Sequence, residues 1–183
     1  MNFNSKDWKK MENKTKKFVV AADFHGSISA FDKVLDLFRQ YKADKLLLLG
    51  DIFGTDSEEM VNKLNDIADK VTIVRGNNDW YFEPFFAEFE IFNQTYENLN
   101  GRTAFLCHGH KLNDMSLGIY GAQVILQGHV HRPFIFKEQG VIRICVGSPA
   151  KPRFGSKPSI AVVDNEKIQL ISLNGELIDE TTY

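Results

Sequence analysis

The chain has 183 residues, 43% of them hydrophobic and 25% charged, which is ordinary for a folded globular protein and enough to bury a core of two or more layers. A formal net charge of -2 excludes a general attraction to long nucleic acids or to anionic membranes, so any phosphate chemistry has to be local. No run approaches the roughly 20 apolar residues that span a bilayer, and the lysine-rich start lacks a secretory apolar core; a cytoplasmic protein without membrane contact is expected.

Residues 1–16 carry Lys6, Lys9, Lys10, Lys14 and Lys16 with little apolar periodicity and read as a polar N-terminal extension. Residues 17–183 hold no repeat, low-complexity tract or linker and read as one domain. The apolar run 18–22 predicts a buried strand. Ile28, Phe31, Val34, Leu35 and Phe38 then follow at helical spacing, with Ser29 as the expected N-cap. A second strand is expected at 46–49 and a second helix through Met60, Val61, Leu64, Ile67 and Ala68, with Ser57 as its N-cap. A third strand follows at 71–74. Strand, helix, strand, helix, strand predicts parallel pairing with crossover helices.

The aromatic-rich segment 80–92 reads as core packing, with a leaving-group pocket or a homo-oligomer interface as its other uses. Strands are expected at 103–107 and 124–126, and Cys107 and Cys145 lie in apolar runs as core thiols. Beyond His131 the stretches 134–136, 141–146, 160–163 and 168–173 look antiparallel, with a hairpin turn at Asp164-Asn165-Glu166. The fold class is α/β, two packed sheets with helices outside.

Each of the first five apolar runs ends, within three residues, in side chains able to bind a metal. They lead into Asp23-Phe24-His25-Gly26, Gly50-Asp51, Gly76-Asn77-Asn78-Asp79, His108-Gly109-His110 and Gly128-His129-Val130-His131. All five histidines of the chain fall in these loops. Taken singly, each piece is better explained as a turn, a loop or a core histidine. Together they gather more ionisable groups at the carboxyl edge of the strands than a fold needs for its own stability, and that edge is where open α/β sheets bind ligands. Asp23, His25, Asp51, Asn77, His108, His129 and His131 are therefore the candidate metal ligands. Imidazole with carboxylate and amide oxygen suits Mn, Ni, Fe, Zn or Co rather than Mg or Ca. Asp51 is the candidate bridge, with Asp23, His25 and His131 on one ion and Asn77, His108 and His129 on the other. Two such ions activate a bridging water to hydroxide and clamp the oxygens of a phosphorus centre, so hydrolysis of a small phosphate ester is expected.

The ordered series D-x-H-G, G-D, G-N-N-D, H-G-H and G-H-x-H over residues 18–172 resembles the calcineurin-like metallophosphoesterases, and within them the small YfcE-type phosphodiesterases. The resemblance implies a four-layered α/β/β/α sandwich of two mixed sheets and the same division of the seven ligands between two ions. Many relatives have a histidine after the metal-binding asparagine, thought to contact the phosphate and assist the leaving group. Here that place is Asn78, which favours diesters over monoesters. A second departure is Cys145-Val146-Gly147-Ser148-Pro149, where YfcE-type relatives often show Asn-Pro-Gly-Ser. Asn78, Asp79 and His110 are the expected catalytic residues, and Asn78, Arg132 and Arg153 the expected phosphate contacts. A phosphomonoesterase or nucleotide pyrophosphohydrolase is the alternative chemistry. The alternative of another class is a protein-binding scaffold of the same fold, which occurs in a eukaryotic sorting complex.

Overall fold

A computed structural model describes residues 15–55, 57–79, 86–112 and 120–183. Strand β1 (Lys17–Ala21) leads through helix α1 (Ile28–Gln40) to β2 (Lys45–Leu49), and helix α2 (Glu58–Asn65) leads to β3 (Val71–Val74). These three strands pair in parallel, as the alternation of strand and helix predicts. They are continuous apolar runs because both faces are covered. Val19, Ala21, Leu46, Leu48 and Ile73 point to the helices, while Phe18, Val20, Leu47, Leu49 and Val74 point to the second sheet. Burying one such side chain contributes about 1.5–3 kcal/mol, so a one-residue slip in register would be heavily penalised.

The same larger sheet continues through β10 (Ser159–Asp164), β11 (Lys167–Ser172) and β12 (Leu177–Thr182) on the β1 side and through β4 (Ile91–Phe92) beyond β3. The hairpin between β10 and β11 turns at Asn165 and Glu166, with Asn165 at φ 55°, as its sequence implies. The smaller sheet has the order β5 (Thr95–Leu99), β6 (Arg102–Leu106), β7 (Val124–Gln127), β9 (Val141–Val146), β8 (Pro133–Glu138). Here β9 runs parallel to β7 rather than joining an all-antiparallel second half. Both sheets are thus mixed, and one apolar core lies between them while another lies under the helices.

Local details depart from expectation. Helix α1 starts two residues earlier than expected: Ser27, not Ser29, is its N-cap and accepts from the Ala30 N–H at 3.4 Å. Helix α2 is capped in position by Ser57, but the hydroxyl bonds to Gly54, accepting from its N–H at 2.7 Å and donating to its carbonyl at 3.0 Å. Its last expected residues leave the helix, and Ala68 opens a short 3-10 turn. Among the described residues the helices flank only the larger sheet; the outer face of the smaller one carries a cluster of Phe105, Cys107, Ala122, Ile125 and Val141. Of the aromatic segment, residues 80–85 lie outside the described part. Phe89 and Ile91 pack on the helix-side core, Phe92 packs between the sheets and Phe86 is half exposed. No described helix is long and apolar enough to cross a membrane.

Candidate metal centre

The five motif loops leave the carboxyl ends of β1, β2, β3, β6 and β7 and are stitched to one another. Asp23 N–H donates to the Gly50 carbonyl at 2.9 Å and His25 N–H to the Asp51 carbonyl at 2.9 Å, which runs the first two loops side by side. Gly128 N–H donates to the His108 carbonyl at 3.1 Å, pairing the last two. Asp23, His25, Asp51, His129 and His131 all take left-handed backbone angles, φ 60°, 48°, 53°, 70° and 60°. Each costs roughly 1–2 kcal/mol in a residue with a side chain, and such concentration at one edge is the mark of a functional site. Close approach adds a glycine requirement at Gly76, where a Cβ would collide with the backbone nitrogen and Oδ1 of Asp51.

The converging atoms are almost all acceptors. His108 directs Nδ1 at the Leu49 carbonyl, 2.8 Å away, and His131 directs Nδ1 at the Lys151 carbonyl, 2.7 Å away. A carbonyl only accepts, so in each neutral ring Nδ1 carries the hydrogen and Nε2 carries a lone pair. His108 Nε2 faces Asn77 Oδ1 at 3.1 Å and Asp51 Oδ2 at 3.4 Å. His131 Nε2 faces His25 Nε2 at 3.2 Å and Asp23 Oδ1 at 3.2 Å. Asp23 Oδ1 is buried and makes no hydrogen bond of its own despite that neighbour. Asp51 Oδ2 is 3.7 Å from His25 Nε2 and so lies between both groups. Donor atoms of Asp23, His25, Asp51 and His131 all fall within 4.8 Å of one another. This set fits a divalent cation, which supplies the positive charge the acceptors lack. His129 sits farther out, its ring 5.1 Å from that of His108, with its backbone N–H donating to Asp23 Oδ2 at 2.9 Å.

Electrostatics follow from the same crowding. Burial lowers the pKa of His25 and His129 and so favours the neutral imidazole. Burial pulls His108 down too, but its contact with Asp51 and the charges of Asp23 and Asp51 outweigh it and raise the pKa. His131 is raised chiefly by the Asp23 carboxylate beside it. For Asp51, burial pushes upward, yet His108 and Asn78 hold the carboxyl well below the usual carboxylate range. Protons and metal ions therefore compete for the same lone pairs.

Asp79, expected among the catalytic residues, is buried with its carboxylate turned to the backbone. Its oxygens accept from the N–H groups of Asp51 at 2.7 Å, Gly76 at 2.8 Å, Ile52 at 3.0 Å and Phe53 at 3.1 Å. It is a positioning residue that fixes the Asp51 loop. Asn78 likewise turns inward: its backbone N–H donates to Asp51 Oδ1 at 2.8 Å and its amide to Asp51 Oδ2 at 2.5 Å. Ser148, which sequence reasoning did not single out, is fully buried; its hydroxyl donates to the Asp23 carbonyl at 2.7 Å and accepts from Lys151 N–H at 2.8 Å. It therefore ties the Asp23 loop to the turn that holds His131. The only signal was its place at a strand end, in the Gly147-Ser148-Pro149 departure. Cys107 and Cys145 are buried free thiols, each pushed up to about 12 by burial, which suits core packing and not metal binding.

Arg132 and Arg153 are both exposed and flank His131 in different ways. Arg132 follows it in sequence, and Arg153 bonds to it through the backbone, N–H to carbonyl at 3.1 Å. His110 lies with its ring 5.5 Å from His108 and 6.1 Å from His129, and both of its ring nitrogens are buried without a hydrogen-bond partner among the described residues. It lines a cavity of about 170 Å³ that opens beside His108 and Gly76. Phe105, Tyr120, Asn93 and Gln94 form other parts of the wall.

Comparison with known proteins agrees with this arrangement. The calcineurin-like phosphoesterase superfamily domain matches residues 17–167. Phosphodiesterase YfcE of Escherichia coli strain K12 is 30% identical over 174 residues, covering 88% of this chain and 95% of that protein. A probable metallophosphoesterase of Methanocaldococcus jannaschii is 29% identical over 152 residues, 82% of this chain and 77% of that protein. The solved structure of the E. coli YfcE phosphoesterase superposes with a TM-score of 0.82 at 29% identity, covering 91% of this chain and 98% of that one. Vacuolar protein sorting 29 of Cryptosporidium parvum shares the fold, with a TM-score of 0.69 at 18% identity over 92% of this chain and 98% of that one. A phosphoesterase fold whose strand-end loops gather acceptors able to hold a cation, and a domain match over residues 17–167, lead to one conclusion: the chain belongs to the calcineurin-like phosphoesterase superfamily.

Proposed function

We propose that this chain is a phosphodiesterase acting through two divalent metal ions, with Mn better suited than Mg. The observation that carries this reading is the position of Asp51 Oδ2, 3.4 Å from His108 Nε2 and 3.7 Å from His25 Nε2, between the His108–Asn77 group and the His25–His131 group. Asp23, His25 and His131 would hold one ion, Asn77, His108 and His129 the other, and Asp51 would bridge them. When bound, two such ions lower the pKa of a coordinated water and offset the charge of a phosphoryl group.

The chain's own residues supply the rest. Asp79 and Ser148 set the loops, Asn78 orients Asp51, and the Leu49 and Lys151 carbonyls fix the tautomers of His108 and His131. Arg153 and Arg132, exposed beside His131, offer guanidinium groups to the phosphate oxygens. The likeness to YfcE, named a phosphodiesterase, supports the choice of diester. Asn78 supports it as well, because an amide cannot protonate a poor leaving group near neutral pH. The test is a matrix of metals against a diester, a monoester, a 2′,3′-cyclic nucleotide and a dinucleoside polyphosphate. The expected result is hydrolysis of the diester, lost on chelation and restored by Mn more than by Mg. Full activity after verified metal removal, or turnover of the monoester alone, overturns the proposal.

A further inference from the structure

The cavity beside His108 is the feature the reaction itself does not use. At about 170 Å³ it is close to the roughly 150 Å³ of an apolar cavity known to hold benzene, so a single six-membered ring fills it. One wall is aromatic: Phe105 and Tyr120 stack with ring centroids 4.7 Å apart and an interplanar angle of 17°. The rim is polar, since Asn93 and Gln94 are exposed there and each amide offers both a donor and an acceptor. Beside His108 stands His110, whose buried ring nitrogens make no hydrogen bond among the described residues, a costly arrangement that a ligand oxygen would relieve. A flat ring with hydrogen-bonding groups along its edge matches all three features.

We propose that this cavity is the subsite for one substituent of the diester and that it selects a single planar ring with a hydrogen-bonding edge, the chemistry of a pyrimidine base. His110 contacts the substrate between that subsite and the centre. The inference rests on the phosphodiesterase reading, and it extends that reading to the substrate class.

Binding and turnover test it separately on the Mn-loaded full chain. Calorimetry would compare thymidine 5′-monophosphate, deoxyguanosine 5′-monophosphate, phenyl phosphate and methyl phosphate, and kinetics would compare KM for the p-nitrophenyl diesters of thymidine, phenol and methanol. Thymidine is expected to bind about tenfold or more tighter than methyl and to show a correspondingly lower KM, with phenyl between them. Gln94→Ala, at an exposed position that does not threaten the fold, should narrow the gap between thymidine and phenyl. Leu112→Trp, which fills the cavity from its wall, should collapse the gap between thymidine and methyl. Equal affinity for thymidine and methyl in the wild type overturns the subsite, as does a ratio that survives Leu112→Trp. Equal affinity for phenyl and thymidine overturns the hydrogen-bonding edge, and guanosine binding as well as thymidine overturns the size limit. The thymidine preference without hydrolysis of any diester would instead sink the phosphodiesterase reading and leave the subsite standing.

Discussion

Ser148 stands outside the seven candidate ligands, yet its hydroxyl bonds to the backbone on both sides of the centre, at Asp23 and at Lys151. Loss of such a supporting contact typically weakens metal affinity by about 10- to 100-fold. Ser148→Ala should show that loss in a Mn titration while the chain still folds; an unchanged affinity would mean the hydroxyl is not needed to place Asp23. Asn78 makes a contrasting case. Its amide holds Asp51 Oδ2, so replacing it removes a contact as well as supplying an acid. Asn78→His is expected to raise rates most for diesters with strongly basic leaving groups, within the roughly 10²–10⁴-fold span of general acid catalysis. Rates measured across an aryl and alkyl series would show this as a flatter dependence on leaving-group basicity, whereas a uniform change would deny Asn78 any bearing on leaving-group protonation. The ligand candidates were legible because His, Asp and Asn announce their chemistry at strand ends. Ser148 was not, since a hydroxyl that bonds only to backbone looks like any loop serine.

Strands and helices were legible in proportion to their burial. The parallel β1, β2 and β3 lie between two apolar layers and read clearly, with the expected boundaries met within a residue. Three strands left no such trace: β4 is two residues long, β5 is a polar alternation at the sheet edge, and β12 is mostly exposed. Their pairing is decided by neighbouring edges rather than by their own hydropathy. The turn after β2 was visible only as Gly50-Asp51, although its conformation depends on a carboxylate 28 residues later that accepts the Asp51 N–H. Asp79→Asn keeps the size of that side chain but offers one acceptor oxygen in place of two, leaving two of four backbone N–H groups without a partner. A loss of about 2–4 kcal/mol in unfolding free energy is expected, read by denaturant titration. A variant as stable as the wild type would show that the loop holds its shape unaided.

Across the whole molecule, the candidate ligands come from both sheets: Asp23, His25, Asp51 and Asn77 from the larger, His108, His129 and His131 from the smaller. Ions bound there stabilise the native chain by mass action, about 2.7 kcal/mol at a hundredfold excess over Kd, or roughly 5–10 °C in Tm for a chain of this size. The gain depends on pH. After chelation, the contacts that raise the pKa of His108 and His131 stabilise the fold fully below the ordinary histidine value of 6.5 and fade as pH rises through their raised values. Metal binding runs the other way, since it needs those imidazoles deprotonated. The difference in Tm between loaded and chelated protein should therefore widen as pH climbs past 6.5, measured by thermal scans at a series of pH values. A gap independent of pH would place the ions elsewhere. Between the strands the two sheets meet mainly through apolar side chains, with a few polar ties such as the Lys45–Glu97 ion pair and the Ser159 hydroxyl on the Val146 carbonyl, so ions held between them would act as a rivet at one end of the sandwich. Amide exchange at Leu49 and Gln127, on opposite sheets, would then report a single shared opening event rather than two.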